Sequence, residues 1–291
     1  LVDDVRVVAP GKLRFPELAK VFIGFRRERF DAAIVCTRLS WKIAAMLRLF
    51  SRVGAVAGDG PGYSRLWYTH WRPVRPDSHR VASNVDIAKT LFPDLTPGPA
   101  YFSLGEGSRL RAQEIWRETG WEGRKVLGVH PGSGAEDKEK RIPPEILRNV
   151  IRSFLEEFPE SGVMLFLGPL DRELVPLFDK MDERVRPVAG APLDAVAAVI
   201  AKLGAFLAGD TGLGHVAAAQ GVPTVTVAGP TRVSATRPWG GRSRVVQTRE
   251  RLPCMPCYGT PLYGNCPFGV KCMKQVTEQQ ILAELAPYFR G

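Results

Sequence analysis

The stretch LAGDTGLGHVAAAQGVP, residues 207–223, decides the fold. An apolar run ends at Asp210, a glycine-rich turn follows, and an alanine-rich segment opens at His215. Strand, tight turn and helix in that order form one βα unit of a parallel sheet, whose ligands bind at such turns. Gly212-Leu-Gly214-His-Val-Ala217 fits the G-x-G-x-x-A form of a dinucleotide fingerprint. That fingerprint also needs an acid at the end of the next strand, for a ribose hydroxyl. The next strand, TVTVAG (224–229), runs instead into Pro230, Thr231 and Arg232. A corner made only for folding has no need of Asp210 and His215. A lone histidine there is often a satisfied structural residue, but with Asp210 five positions earlier both side chains can face one pocket.

Two more glycine-rich turns follow apolar runs: HPGSGAEDKEKR (130–141) and LGPLDRE (167–173). Backbone N–H groups and the positive end of a helix dipole hold phosphate at such places. Three of them on one domain point to a shared phosphate-bearing ligand. Lys138, Lys140 and Arg141 come directly after HPGSG, where a cation can neutralise a pyrophosphate in place of a metal or simply face solvent. No G-K-[ST] follows at Walker A spacing, which argues against ATP hydrolysis of that type.

Around these turns the pattern alternates short apolar runs with amphipathic stretches, as βα units do. Strands are expected at 5–8, 32–36, 53–58, 125–130, 162–168, 205–210 and 224–229. Helices are expected at 16–28, 40–51, 79–92, 108–120, 143–158, 173–181, 193–202 and 214–220. GVMLFLG and TVTVAG lack alternation, as strands buried on both faces do. The Pro/Gly-rich run from Asp94 to Gly105 places a change of domain nearby, giving expected domains of 1–115 and 116–291.

The chain has 291 residues, 45% apolar and 24% charged, with a net charge of +10. That is a soluble globular composition with an affinity for anions. No apolar run approaches a membrane span and no signal-peptide pattern is present, so a cytoplasmic location is expected. No recognised RNA or DNA module accompanies the charge, which leaves nucleic acid without support as a partner. The opening LVDDVRVVAP has no methionine, and the chain is expected to be a fragment lacking an N-terminal segment.

Near the end, Cys254, Cys257, Cys266 and Cys272 have the spacing C-x2-C-x8-C-x5-C among glycines and prolines. Four thiolates so spaced can wrap a structural zinc or an iron–sulfur cluster. Free thiols or redox-sensitive disulfides remain open alternatives. Cys36, inside an apolar run, reads as a small core residue.

Taken together, the pieces resemble the ADP-heptose:lipopolysaccharide heptosyltransferases, glycosyltransferase family 9. HPGSG with its downstream KRIP (130–143) and LGPLDRE (167–173) carry the resemblance. So do DTGLGHVAAAQGVPTVTVAGPT (210–231), the cysteine-bearing segment 254–273 and the helix HRVASNVDIAKTLF (79–92). The resemblance implies an α/β fold of GT-B type, two Rossmann-like domains facing across a cleft. The first would face the acceptor and the second would hold the nucleotide sugar. It implies inverting, metal-independent transfer of L-glycero-D-manno-heptose from ADP-heptose to the lipopolysaccharide inner core, at the cytoplasmic face of the inner membrane; the alternatives are a related glycosyltransferase with another nucleotide-sugar donor or an inactive nucleotide-sugar-binding homologue.

By the same resemblance Ser133, Gly134 and Arg141 belong to the donor site, and Lys140 stabilises charge on leaving ADP. Asp171 or Glu173 binds the ribose, and Asp210 holds sugar hydroxyls. Thr211, Gly212, His215 and Thr231 line the phosphate end. Acceptor contacts are expected around Arg38, Ser40 and Lys42, and peripheral docking around Trp67, Tyr68 and Trp71. The general base of relatives lies on an N-terminal unit expected to be missing here. Ile142 stands where the family usually carries a tryptophan, an aromatic that could stack on a ligand.

Overall fold

The computed structural model describes residues 15–36, 41–73, 75–134 and 137–290. They divide into two compact units, Leu1–Pro97 and Gly98–Gly291. The expected strand at 5–8 and the expected acceptor residues Arg38 and Ser40 lie outside the described residues.

The first unit has a three-stranded parallel sheet, β1 (Ala32–Val35), β2 (Ala55–Gly60) and β3 (His70–Pro73), in that order. Helices α1 (Phe15–Phe25), α2 (Trp41–Leu49) and α3 (Arg80–Ala88) accompany it. Helix α3 stops short of the expected end at residue 92; a backbone that must pass Pro93 cannot stay helical up to it. Tyr68 is buried, and Trp67 and Trp71 pack against the same small core. Of the three aromatics expected at a membrane surface, Tyr68 is buried, while Trp67 at the end of the 3-10 turn Gly62–Trp67 and Trp71 on β3 are each partly covered. Tyr63 and Leu66 are the exposed apolar side chains of that turn.

The second unit opens with α4 (Glu106–Thr119). Next come β4 (Val126–His130), α5 (Pro144–Glu157), β5 (Gly162–Leu167), α6 (Val175–Phe178) and β6 (Val185–Ala189). After these follow α7 (Leu193–Ile200), β7 (Ala205–Gly209), α8 (Gly212–Ala219), β8 (Thr224–Val227), α9 (Val233–Thr236) and β9 (Ser243–Val246). Short α10 (Lys271–Lys274) and α11 (Glu278–Leu285) close the unit. The six strands are parallel in the order β6-β5-β4-β7-β8-β9, the doubly wound order of a Rossmann sheet.

Side chains alternate between the sheet's two faces, and both faces are covered. Leu127, Val129, Val163, Leu165, Ala205 and Leu207 enter the core under α5 and α11. Val126, Met164, Phe166, Phe206 and Ala208 enter the opposite core under α4, α7 and α8. This two-sided burial explains why β5 and β8 read as unbroken apolar or β-branched runs.

The domain boundary differs from the expectation at 115/116. Helix α4 belongs wholly to the second unit: Trp116 is buried with its Nε1 donating to Val199 O at 3.2 Å, and Ser108 Oγ donates to Asp194 Oδ2 at 2.5 Å. The non-periodic run before it is the true connection. A helix expected at 173–181 is reduced to the 3-10 turn Pro169–Leu174 and the four residues of α6. Three strands went unread in the sequence: β3, β6 and β9.

Candidate functional site

The order of the large sheet reverses between β4 and β7, which leave in opposite directions from the switch point. Ligands of open α/β sheets bind in the crevice at the carboxyl ends of such strands. Here those ends are His130 and Gly209, and a cavity of about 1010 Å³ opens beside them. The same βα unit that opened the sequence reading thus supplies its floor.

Two glycines set the geometry. A Cβ on Gly209 would lie 2.3 Å from Lys140 O, so glycine lets the 3-10 turn Lys138–Lys140 lie against the end of β7. A Cβ on Gly132 would lie within 2.5 Å of both Asp171 carboxylate oxygens, so glycine lets the 167–173 turn close on the 130–134 turn. At Gly212, first residue of α8, a Cβ would meet no protein atom, and the residue lines the cavity.

Ser133, Gly134, Lys140, Asp171, Asp210, Thr211, Gly212, His215 and Thr231 all line this cavity. Ser133 and Thr231, 98 positions apart in sequence, thus line one cavity. Arg141 and Glu173 do not line it. Arg141 pairs with Glu173, while its Nε donates to Ser133 Oγ at 3.1 Å. It therefore braces Ser133 from behind. Lys138, exposed, joins the same pair at 3.2 Å, and these two cations hold the Glu173 carboxyl below its usual range. Of the two ribose candidates, Asp171 is the one facing the cavity. It is only 2% exposed, its Oδ2 accepts Gly168 N–H at 2.8 Å, and its Oδ1 makes no hydrogen bond, with Arg141 Nη2 3.9 Å away.

Asp210 Oδ2 accepts from Thr236 Oγ1 at 3.0 Å, and His215 Nε2 lies 3.8 Å from Oδ1. Burial works to raise this carboxyl, but the polar side chains of His215, Thr231 and Thr236 beside it outweigh burial and hold it below the usual value. It is an anion that presents acceptor oxygens to the cavity. His130, buried, donates from Nδ1 to Phe166 O at 2.9 Å, and burial holds its pKa below the usual imidazole value. Lys140 is buried apart from its cavity face and pairs with Asp137 at 3.3 Å.

Ile142 is 1% exposed in the core below β4 and does not line the cavity. The place where an aromatic was expected is thus held by a core residue. Several cavity residues were not legible in sequence. Asp137 lies in the marked 130–141 turn, Thr236 ends α9 and Tyr258 follows Cys257, but nothing in the sequence aimed them at one cavity; Val188 to Leu193 with Val196 form an apolar wall. Only the glycine and proline between β6 and α7 hinted at that wall. Lys42 is exposed on α2, its ammonium 5.8 Å from the Trp41 ring.

The four-cysteine expectation meets a different geometry. All four are free thiols, with Cys257 and Cys272 buried and Cys254 and Cys266 partly so. Among the described residues no three His, Cys, Asp or Glu side chains converge as a metal-binding group. The four thiols do lie near one another: Cys257 has Cys254 and Cys266 as neighbours, and Cys272 has all three. Burial, then the neighbouring thiols, pushes Cys272 up to about 11.

Known proteins match this chain along most of its length. The family model of glycosyltransferase family 9 (heptosyltransferase) matches residues 18–262. A lipooligosaccharide heptosyltransferase 2 of Campylobacter jejuni is 25% identical over 171 residues, covering 56% of this chain and 51% of that protein. Lipopolysaccharide heptosyltransferase 1 of Pseudomonas aeruginosa is 46% identical over 65 residues, 22% of this chain and 18% of that one. The chain thus aligns with about half the length of the first of these relatives. Among solved structures, a family 9 glycosyl transferase from Veillonella parvula superposes with a TM-score of 0.75 at 21% identity, covering 96% of this chain and 80% of that one. The E. coli ADP-heptose LPS heptosyltransferase II gives 0.65 at 22%, covering 94% and 81%. At such identity the structural likeness is one of fold, the GT-B type.

Proposed function

Because this chain belongs to glycosyltransferase family 9, we propose that it transfers L-glycero-D-manno-heptose from ADP-heptose to the lipopolysaccharide inner core, with inversion and without a catalytic metal. The observation that carries this reading is the convergence of Lys140, Asp210 and the first residues of α8 on one cavity at the sheet's switch point. The names of the similar Campylobacter and Pseudomonas proteins support the sugar and the acceptor, and that of the E. coli structure supports the ADP donor.

In this reading the donor diphosphate lies at the N-terminus of α8, where Thr211 and Gly212 turn toward the cavity and the helix dipole favours anions. Lys140 supplies the full positive charge. The apolar wall from Val188 to Leu193 takes the base, Asp171 the ribose and Asp210 the sugar hydroxyls. An acceptor hydroxyl oxygen bonds to the anomeric carbon as the bond from that carbon to the diphosphate oxygen breaks. The hydroxyl proton passes to a base, and ADP departs carrying the electron pair. Cation and helix N-terminus gain most as charge grows on that departing oxygen, which is where catalysis requires stabilisation. The acceptor is membrane-embedded, and the net charge of +10 suits a peripheral approach to an anionic surface. No described helix is long and apolar enough to cross a membrane.

Thermal shift with ADP and with UDP tests the donor. ADP is expected to raise the melting temperature and UDP to leave it unchanged; stabilisation by UDP alone assigns another sugar nucleotide. Turnover of ADP-heptose on a heptose-deficient lipopolysaccharide, with and without EDTA, tests the transfer and its independence of metal.

A further inference from the structure

The cysteine-bearing loop has no part in the reading above, yet it reaches the cavity. The backbone N–H groups of Cys257 and Tyr258 both donate to Pro230 O at 2.9 Å, which pins the loop beyond the end of β8. Cys272 packs so closely there that a Cβ on Gly229 would lie 2.7 Å from its sulfur. From this anchorage two aromatic side chains extend over the Lys138–Lys140 turn. The Lys140 ammonium sits 3.7 Å from the Tyr258 ring centroid. Tyr263 Oη donates to Asp137 Oδ1 at 2.8 Å, while Asp137 Oδ2 lies 3.3 Å from Lys140 Nζ. The Tyr258 and Tyr263 rings meet edge to face, centroids 4.9 Å apart. Lysine, aspartate and two tyrosines thus form a closed circuit.

Resting on the donor reading, we propose that the loop is a positioning element for the cation that faces the donor diphosphate: Tyr258 holds the Lys140 ammonium by its ring face, and Tyr263 holds Asp137, the carboxylate that Lys140 exchanges for diphosphate. A lysine side chain is long and freely rotating, and it meets carboxylate and phosphate only as a point charge without directional fit. The ring fixes its head without neutralising it, since attraction to a π face leaves the charge available to an anion. Asp137 alone would compete with the diphosphate. Tied at its other oxygen by Tyr263, it can be left behind when the diphosphate takes the ammonium. The buried thiols of Cys257 and Cys272 anchor the segment that carries both rings.

Tyr258 is about half exposed, so its substitution spares the core. In protein labelled with 13C-lysine, the Lys140 ε-methylene signal, assigned through Lys140→Arg, is expected to show an upfield ring-current shift. Tyr258→Phe should retain the shift and Tyr258→Leu should lose it. Calorimetric affinity for ADP and for inorganic pyrophosphate should fall about tenfold in Tyr258→Leu and recover in Tyr258→Phe. Tyr263→Phe, which leaves the ring and frees Asp137, should weaken both ligands while sparing the Lys140 shift. A Lys140 shift indifferent to Tyr258, or a Phe variant as damaged as the Leu variant, overturns the clamp. Wild-type protein that binds neither nucleotide nor pyrophosphate overturns the donor reading, whatever the lysine signal shows.

Discussion

At the residue scale the site rests on two opposite charges held in place. Removing Lys140 by Lys140→Ala, or Asp210 by Asp210→Ala, should lower kcat for heptose transfer by about 10²-fold or more, the range for losing one transition-state contact in a sheltered site. Circular dichroism should show the fold intact, and unchanged turnover in both variants would sink the assignment. Asp210 also carries a pH signature. Its carboxyl is held below its ordinary 3.8, so the stability it contributes is complete above about pH 4 and lost as pH falls through the depressed value. Melting curves from pH 6 downward should therefore fall more steeply for wild type than for Asp210→Asn. Gly209→Ala tests the close approach: a methyl 2.3 Å from Lys140 O must push the turn away, costing about 1–3 kcal/mol of stability by denaturant titration and lowering ADP affinity. The motif glycines and Asp210 were legible because each serves one backbone or charge requirement at a fixed spacing. Tyr258 and Asp137 were not, since their meeting across more than 100 residues leaves no local trace.

At the element scale, every strand in the middle of the large sheet could be read, as could β1 and β2 of the small one. The middle strands β4, β5, β7 and β8 are covered on both faces and are apolar or β-branched but for His130 at the end of β4. The missed strands β3, β6 and β9 all lie on sheet edges. Each includes arginine, and β3 and β6 include proline, which an edge tolerates because one side of its backbone needs no ladder partner. Helix α4 shows the opposite case: its pattern was evident, its allegiance was not. Trp116 commits it to α7, so Trp116→Ala should destabilise the second unit by about 3–5 kcal/mol in urea unfolding. A first unit that melts unchanged in the same variant would confirm the boundary at Pro97.

At the scale of the whole molecule, residues 98–291 hold their own six-stranded sheet, two cores and the entire lining of the cavity. That unit expressed alone should unfold cooperatively and bind ADP with an affinity close to that of the full chain, measured by calorimetry. Loss of binding in a folded 98–291 polypeptide would place part of the nucleotide site elsewhere. The sequence by itself determined the α/β class, the three glycine-rich turns and the charges set beside them, because strand–turn–helix units and anion-binding turns are local in the chain. Only the tertiary structure decided which of those charges share a cavity. It paired Arg141 with Glu173 outside the lining, turned Ile142 and two cysteines into packing residues, and laid Tyr258 on Lys140. LAGDTGLGHVAAAQGVP announces an anion-binding turn from its own spacing. Its partners are set by strand order, which pairs β4 with β7 residues 78 positions further on, and no local pattern records that neighbour.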